Sequence, residues 1–186
     1  MRIIGGKFKG KKLLLPIDKK TRPLKDLVKE SIFNLLENSN RYKIILKNSC
    51  VLDLFSGSGS FGLECISRGA ERLIFLENYP SAVKILKKNI SSIDGDKFCK
   101  IIDKNCFDLI SSNILLNQTF DIIFLDPPFQ EIGINDLLEN IVEKKLLNQD
   151  GMIILHRHKN DKINITNKLN IIDKRFYGVS KIVFCN

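Results

Sequence analysis

From Cys50 onward, short apolar runs alternate with stretches of helical periodicity. The runs occupy 51–55, 73–76, 98–102, 122–125 and 152–155, and the helical stretches lie near 60–68, 80–91, 105–116 and 134–146. Apolar runs with no alternating polar face suit strands buried on both sides. Alternation at this interval predicts βαβ units, hence an α/β chain with a mainly parallel sheet covered on both faces. Ligands of such sheets bind at the carboxyl ends of the strands. The C-terminal stretch breaks the rhythm: Ile171-Ile172 and Ile182-Val183-Phe184 flank Tyr177-Gly178-Val179-Ser180 with no room for a helix, so the sheet is expected to end in an antiparallel hairpin.

Residues 1–47 read differently, as an N-terminal extension to a core at 48–186, the whole forming a single domain. Ile3-Ile4 and Leu13-Leu14-Leu15 bracket a glycine- and lysine-rich tip, which predicts a small hairpin. Thr21-Arg22-Pro23 then opens a helix with Pro23 in its first turn. Leu24, Leu27, Val28, Ser31, Ile32, Leu35 and Leu36 follow at helical spacing as its packing face, and Asn38-Ser39-Asn40 closes it.

A charge of +9 favours an anionic partner such as nucleic acid, although a lysine-rich chain that is also rich in Ile and Asn could be basic through composition alone. Five cysteines, an odd number with no C-x-x-C pair, read as reduced thiols. No stretch approaches a membrane span and the basic N-terminus lacks an apolar targeting segment, so a cytoplasmic location is expected. Arg2, Lys7, Lys9 and Lys11 at the hairpin, and Arg22 at the helix entrance, are candidate phosphate contacts; a solvated turn would look the same.

The chemistry concentrates in two places. Val51 to Glu64 reads VLDLFSGSGSFGLE: a buried strand, a glycine turn and a helix N-terminus. Gly57, Gly59 and Gly62 match the spacing of the dinucleotide fingerprint, and Glu77 follows Gly57 by 20 residues, placed to accept hydrogen bonds from ribose hydroxyls. Asp53 argues against a pyrophosphate here and suits the cationic methionyl end of S-adenosylmethionine. The plain alternative is a tight turn without a ligand.

The second place is Asp126-Pro127-Pro128-Phe129, delivered at the end of the strand Phe120-Asp121-Ile122-Ile123-Phe124-Leu125. Neither proline offers an N–H, so the turn presents acceptors: the Asp126 carboxylate and main-chain carbonyls. Acceptors that hold the hydrogens of an exocyclic nucleobase amine help localise its lone pair on nitrogen, toward an electrophilic methyl group. Phe129 would stack on the base. His156 and His158 lack a third ligand for a metal and read as surface or RNA contacts. Cys106 has no histidine partner and reads as pocket wall, and Tyr177 as a packing residue.

These motifs, with Ser67-Arg68-Gly69-Ala70, the opening Met1-Arg2-Ile3-Ile4-Gly5-Gly6, Thr21-Arg22-Pro23 and the closing Tyr177-Gly178, make the chain resemble the bacterial RsmD family along essentially its whole length. The resemblance implies a Rossmann-like methyltransferase fold with a reversed strand. It also implies S-adenosyl-L-methionine held by Asp53, Phe55, Ser56, Gly57, Gly59, Glu77, Asn78, Asn105 and Cys106, and methylation of the N2 amine of one guanine in 16S rRNA. The substrate would be an assembled or assembling small subunit, met by a monomeric enzyme without a metal. Asn105 stands where the family has an adenine-contacting acid, and Leu24 and Leu27 where it usually has Thr and Arg. The rivals are an adenine-N6 methyltransferase acting on DNA or RNA and a non-catalytic ribosome assembly factor.

Overall fold

The structure, a computed structural model, describes residues 1–18, 24–38, 42, 44–112, 114–162 and 165–186. Its centre is a seven-stranded sheet formed by β1 (Cys50–Leu54), β2 (Arg72–Leu76), β3 (Cys99–Ile102), β4 (Phe120–Leu125), β5 (Leu147–His158), β6 (Ile171–Tyr177) and β7 (Ser180–Cys185). The strand order is β3-β2-β1-β4-β5-β7-β6. The first five strands are mutually parallel, and β7 inserts antiparallel between β5 and β6. The chain moves outward from β1 through β2 and β3, then returns to place β4 on the other side of β1. That reversal opens a crevice at the carboxyl ends of β1 and β4, where open sheets of this kind bind ligands.

Among the described residues, five helices cover the sheet: α1 (Asp26–Asn38), α2 (Ser60–Ser67), α3 (Pro80–Ser91), α4 (Cys106–Ser111) and α5 (Ile134–Glu143). Side chains of α1, α2 and α3 join one buried apolar cluster with the N-terminal residues Ile3 and Leu13, while those of α4 and α5 form the cluster on the opposite face. Phe33, Phe61 and Phe124 stack in series, at 5.1 and 3.9 Å between centroids, tying α1 through α2 to β4.

Three predicted elements differ in detail. α1 begins at Asp26, after Leu24 and Lys25: Lys29 N–H donates to the Lys25 carbonyl, and Leu24 is buried. Thr21, Arg22 and Pro23 lie outside the described residues, as do Ser39 and Asn40. Leu27, expected on the packing face, is 70% exposed, and that face is carried by Val28, Lys29, Ile32, Phe33 and Leu36. The helix predicted to reach residue 116 ends at Ser111, because Ser112 is extended and its hydroxyl bonds locally to the Leu109 carbonyl and the Ile114 N–H. α5, predicted to reach residue 146, ends at Glu143, and Lys145 just beyond it lies in the left-handed region at φ 52°.

The N-terminal hairpin has a single antiparallel bridge, Arg2 to Lys12, and lies along α2. Ile4 and Gly5 donate their N–H groups to the Glu64 carboxylate, each at 2.7 Å. Lys7 N–H donates to the Ser67 carbonyl at 2.7 Å, so the tip is docked on α2. Gly6 makes this contact possible: its φ is +70°, and a Cβ would stand 1.9 Å from the Ser67 carbonyl oxygen.

Candidate active site

The crevice is a cavity of about 550 Å³ lined by the ends of β1, β2, β3 and β4 and, among the described residues of the extension, by Leu15 and Leu24. Asp53, Phe55, Ser56, Gly57, Glu77, Asn78, Asn105 and Cys106 all line it, together with Asp126, Pro127, Pro128 and Phe129. Both predicted groups of residues therefore meet in one space.

On the glycine side, Gly57 faces that space: a Cβ built there meets no protein atom within 4 Å, so a side chain would occupy the room left for a ligand. Gly59 and Gly62 do not line the cavity. Gly59, at φ +81°, turns the chain into α2 with its Cβ position 2.4 Å from Leu86, and Gly62 packs at 2.5 Å from Phe75. Phe55 follows β1 at φ +61°, an unfavourable conformation for a bulky residue and one that clusters at functional sites. Its ring meets Phe107 edge-on at 5.9 Å. Phe107 is a lining residue that periodicity gave no reason to select.

Glu77 is oriented by the backbone, accepting from Gly57 N–H at 2.7 Å and Tyr79 N–H at 2.8 Å, one on each carboxylate oxygen. Each oxygen retains a lone pair for a hydroxyl. Asn105 caps α4 through its side-chain oxygen, which accepts from Phe107 N–H at 2.9 Å, and its amide hydrogens are the donors it can offer a ligand. Cys106 is buried and its thiol is pushed up to about 12, chiefly by that burial, so it is an inert apolar wall.

Asp53 is 1% exposed and accepts from Gly62 N–H at 3.1 Å. Burial raises its carboxyl well above the ordinary 3.8, only partly offset by the Gly62 donor, and nearby Asp126 and Glu77 raise it further. The folded state thus holds this proton more tightly than the unfolded chain, and the group's contribution to stability falls as pH rises from 3.8 toward the folded value. A cationic ligand in the cavity would relieve the penalty. Asp53→Asn is therefore expected to raise stability at pH 7 by about 1 kcal/mol, or roughly 2–4 °C in Tm, while weakening a cationic ligand at least about tenfold. Thermal melts and titration calorimetry on the same protein check both halves.

The Asp126-Pro127-Pro128-Phe129 turn is held from β5 by residues whose role the sequence concealed. His156 is 1% exposed, with Nδ1 at 2.8 Å from Asp126 Oδ1 and Nε2 at 2.8 Å from Ser180 Oγ, which corrects the expectation of a surface residue. Arg157, 4% exposed, donates to the carbonyls of Pro128 at 2.9 Å, Phe129 at 3.1 Å and Glu131 at 3.0 Å, and pairs with Asp161. The Pro127 carbonyl is bound by none of these donors. The Phe129 ring stands edge-on to His156 at 5.7 Å and to His158 at 5.2 Å. Tyr177 packs at the sheet end, its hydroxyl hydrogen-bonded to Ser31.

The predicted phosphate contacts are spread out. None of Arg2, Lys7, Lys9 and Lys11 lines the cavity. The Arg2 carbonyl accepts from Lys29 Nζ, which also donates to Ser60 Oγ at the cavity end of α2, whereas Lys7 is docked at Ser67. Those ends are roughly 12 Å apart for a helix of eight residues. Lys9 and Lys11 are exposed along the hairpin, and Arg22 lies outside the described residues. Among the described residues no group of three or more His, Cys, Asp and Glu side chains could hold a metal ion, and no helix is long and apolar enough to cross a membrane.

Comparison with known proteins agrees with this architecture. Residues 1–186 match the family model described as conserved hypothetical protein 95. The chain is 30% identical to ribosomal RNA small subunit methyltransferase D of Haemophilus influenzae, over 96% of this chain and 90% of that protein. It is 32% identical to a Bacillus subtilis protein named "Putative rRNA methyltransferase YlbH", over 98% of this chain and 96% of that one. Among solved structures, one titled "putative methylase" from Haemophilus influenzae superposes with a TM-score of 0.77 at 29% identity, covering 99% of this chain and 96% of that one. A whole-length family match together with relatives of this similarity places the chain in the conserved hypothetical protein 95 family, the RsmD family that its motifs resemble.

Proposed function

We propose that this chain transfers the methyl group of S-adenosylmethionine to the exocyclic N2 amine of one guanine in 16S rRNA. The observation that carries the reading is the meeting of the glycine turn and the acceptor-only Asp126-Pro127-Pro128-Phe129 turn in a single cavity. The cofactor, when bound, supplies a methyl group made electrophilic by a sulfonium centre.

The residues present fit that group. The open face at Gly57 leaves room for it, Glu77 offers lone pairs to two ribose hydroxyls, and Phe55, Phe107 and Cys106 provide apolar walls for a purine. Asp53 supplies a buried carboxyl whose charged form a cationic methionyl end would stabilise. On the substrate side, the Asp126 carboxylate and the Pro127 carbonyl accept the hydrogens of the amine, which directs its lone pair toward the methyl group. Phe129 stacks on the base, braced by the two histidine rings. Asp126 is within reach to take the proton the amine loses, and departure of a neutral thioether needs no acid.

The substrate is the rRNA of an assembled or assembling small subunit, bound by a cytoplasmic monomer, with residues 1–47 as its RNA-facing extension. The +9 charge and the hairpin laid along α2 support an extended phosphate path leading to the cavity. Purified protein is incubated with methyl-labelled cofactor and, separately, with unmethylated small subunits, naked 16S rRNA and duplex DNA, and each digest is analysed by nucleoside. Label in N2-methylguanosine, chiefly from subunits, is the expected result. Label in methyladenosine would transfer the assignment to the adenine enzyme, and cofactor binding with no label in any substrate would favour an assembly factor.

A further inference from the structure

His156 was not needed to explain binding of either substrate, yet it is an enclosed polar contact of the proposed reacting carboxylate. We infer that His156 is the positioning residue for Asp126, fixing the acceptor geometry through a buried Ser180–His156–Asp126 relay. This rests on the methyltransferase reading above.

Three observations on independent elements support it. His156 comes from β5, Asp126 from the turn after β4 and Ser180 from the first position of β7, and both ring nitrogens are engaged at 2.8 Å. A carboxylate at Asp126 accepts, so the hydrogen on this side lies on Nδ1, and in the neutral imidazole Nε2 accepts from the Ser180 hydroxyl. With His156 and Ser180 only 1% and 2% exposed, water cannot substitute for either partner.

The same hydrogen-bond order occurs in hydrolases, where the serine faces the substrate. Here the direction is reversed. Ser180 is buried and is not among the residues lining the crevice, whereas Asp126 is, so the arrangement serves the carboxylate and presents no nucleophile to that crevice. Donation to Oδ1 blocks rotation of the carboxylate about its Cβ–Cγ bond, and an amine acceptor is useful only if its lone pairs are already aimed. The groups facing His156 include Asp126 from the β4 turn, Ser180 from β7 and the ring of Phe129; its strand neighbours Arg157 and His158 are engaged with Asp161 and with Phe129. The imidazole therefore also braces the ring proposed to stack on the base, linking the two halves of base positioning.

The discriminating pair is His156→Phe, which keeps the ring but removes the donor, and His156→Asn, whose amide places a donor near the former Nδ1. On small subunits His156→Phe is expected to lower kcat about 10–100-fold with the KM for RNA and the cofactor Kd changed less than about threefold, and His156→Asn to recover most of that loss. If His156→Phe does not fold by thermal melt, His156→Gln, whose longer amide reaches toward Ser180 rather than Asp126, takes its place. Equal activity of the parent and the donorless variant, or equal losses in the donorless variant and His156→Asn, overturns the positioning role while leaving the proposed function standing. A parent protein that binds cofactor but transfers no methyl group to any of the substrates overturns both.

Discussion

Replacing Asp126 with alanine is expected to lower methyl transfer about 10³-fold while cofactor affinity changes by no more than a few fold. The carboxylate sits at the end of β4, its side chain 11% exposed, with one oxygen already held by His156. Its proposed partner is the amine and not the cofactor, so its loss is expected in kcat. Removing it leaves the hydrogen bond between Ser180 and His156 intact and opens the Nδ1 side of the ring to the crevice that Asp126 lines, so the fold should survive. Single-turnover rates with labelled cofactor, alongside calorimetric binding of that cofactor, separate the two quantities. Undiminished transfer would remove Asp126 from the amine-holding role.

The second large effect concerns stability. Glu64→Ala is expected to destabilise the protein by about 3–5 kcal/mol, the usual consequence of removing one partner from a buried ionic network. Glu64 is 0% exposed and accepts from Ile4 N–H and Gly5 N–H at 2.7 Å and from Arg68 Nε at 2.9 Å, with Lys29 Nζ at 3.7 Å. Arg68 continues the network to Glu37 on α1. Lys29 is itself fully buried, and burial outweighs the neighbouring carboxylates in lowering its ammonium below the usual 10.5. Without Glu64, that cation keeps only the part-exposed Asp26 at 3.9 Å as a carboxylate partner, and two backbone donors lose their acceptor. Urea titration measures the loss, and limited proteolysis should show cleavage of the hairpin before the body unfolds. Transfer should fall as well, because Leu15 and Leu24 of the extension line the cavity.

Glu64 also shows how a residue can be legible in identity and obscure in role. It closes the VLDLFSGSGSFGLE stretch, and its position gives no hint that it binds Ile4 and Gly5, 60 and 59 residues earlier. Asn89 is similar: it is buried on α3, donating to the Ser58 carbonyl beside the glycine turn and exchanging hydrogen bonds with the Leu14 backbone. Neither carries a local signal, since the partner of a buried polar group is set by packing rather than by spacing along the chain.

The strands and helices of the core were legible because a strand buried on both faces must be apolar throughout, and its connecting helix must present an apolar stripe. The glycine turn, Glu77 and the Asp126-Pro127-Pro128-Phe129 turn were legible for a related reason: backbone conformation and missing N–H groups are local properties of Gly and Pro. What the chain order could not reveal is which distant residues support those turns. His156 and Arg157 occupy adjacent positions on β5, where alternation sends them to opposite faces, yet both reach the turn after β4 because β4 and β5 are parallel neighbours in register from Ile122 and Met152 to Leu125 and Leu155. A histidine beside an arginine near a strand end reads as surface until that pairing is known. The amino-acid sequence alone determined the elements, the glycine turn and the Asp126-Pro127-Pro128-Phe129 turn; the tertiary structure decided their enclosure, because burial and hydrogen-bond partnership depend on distances between segments that the chain keeps far apart.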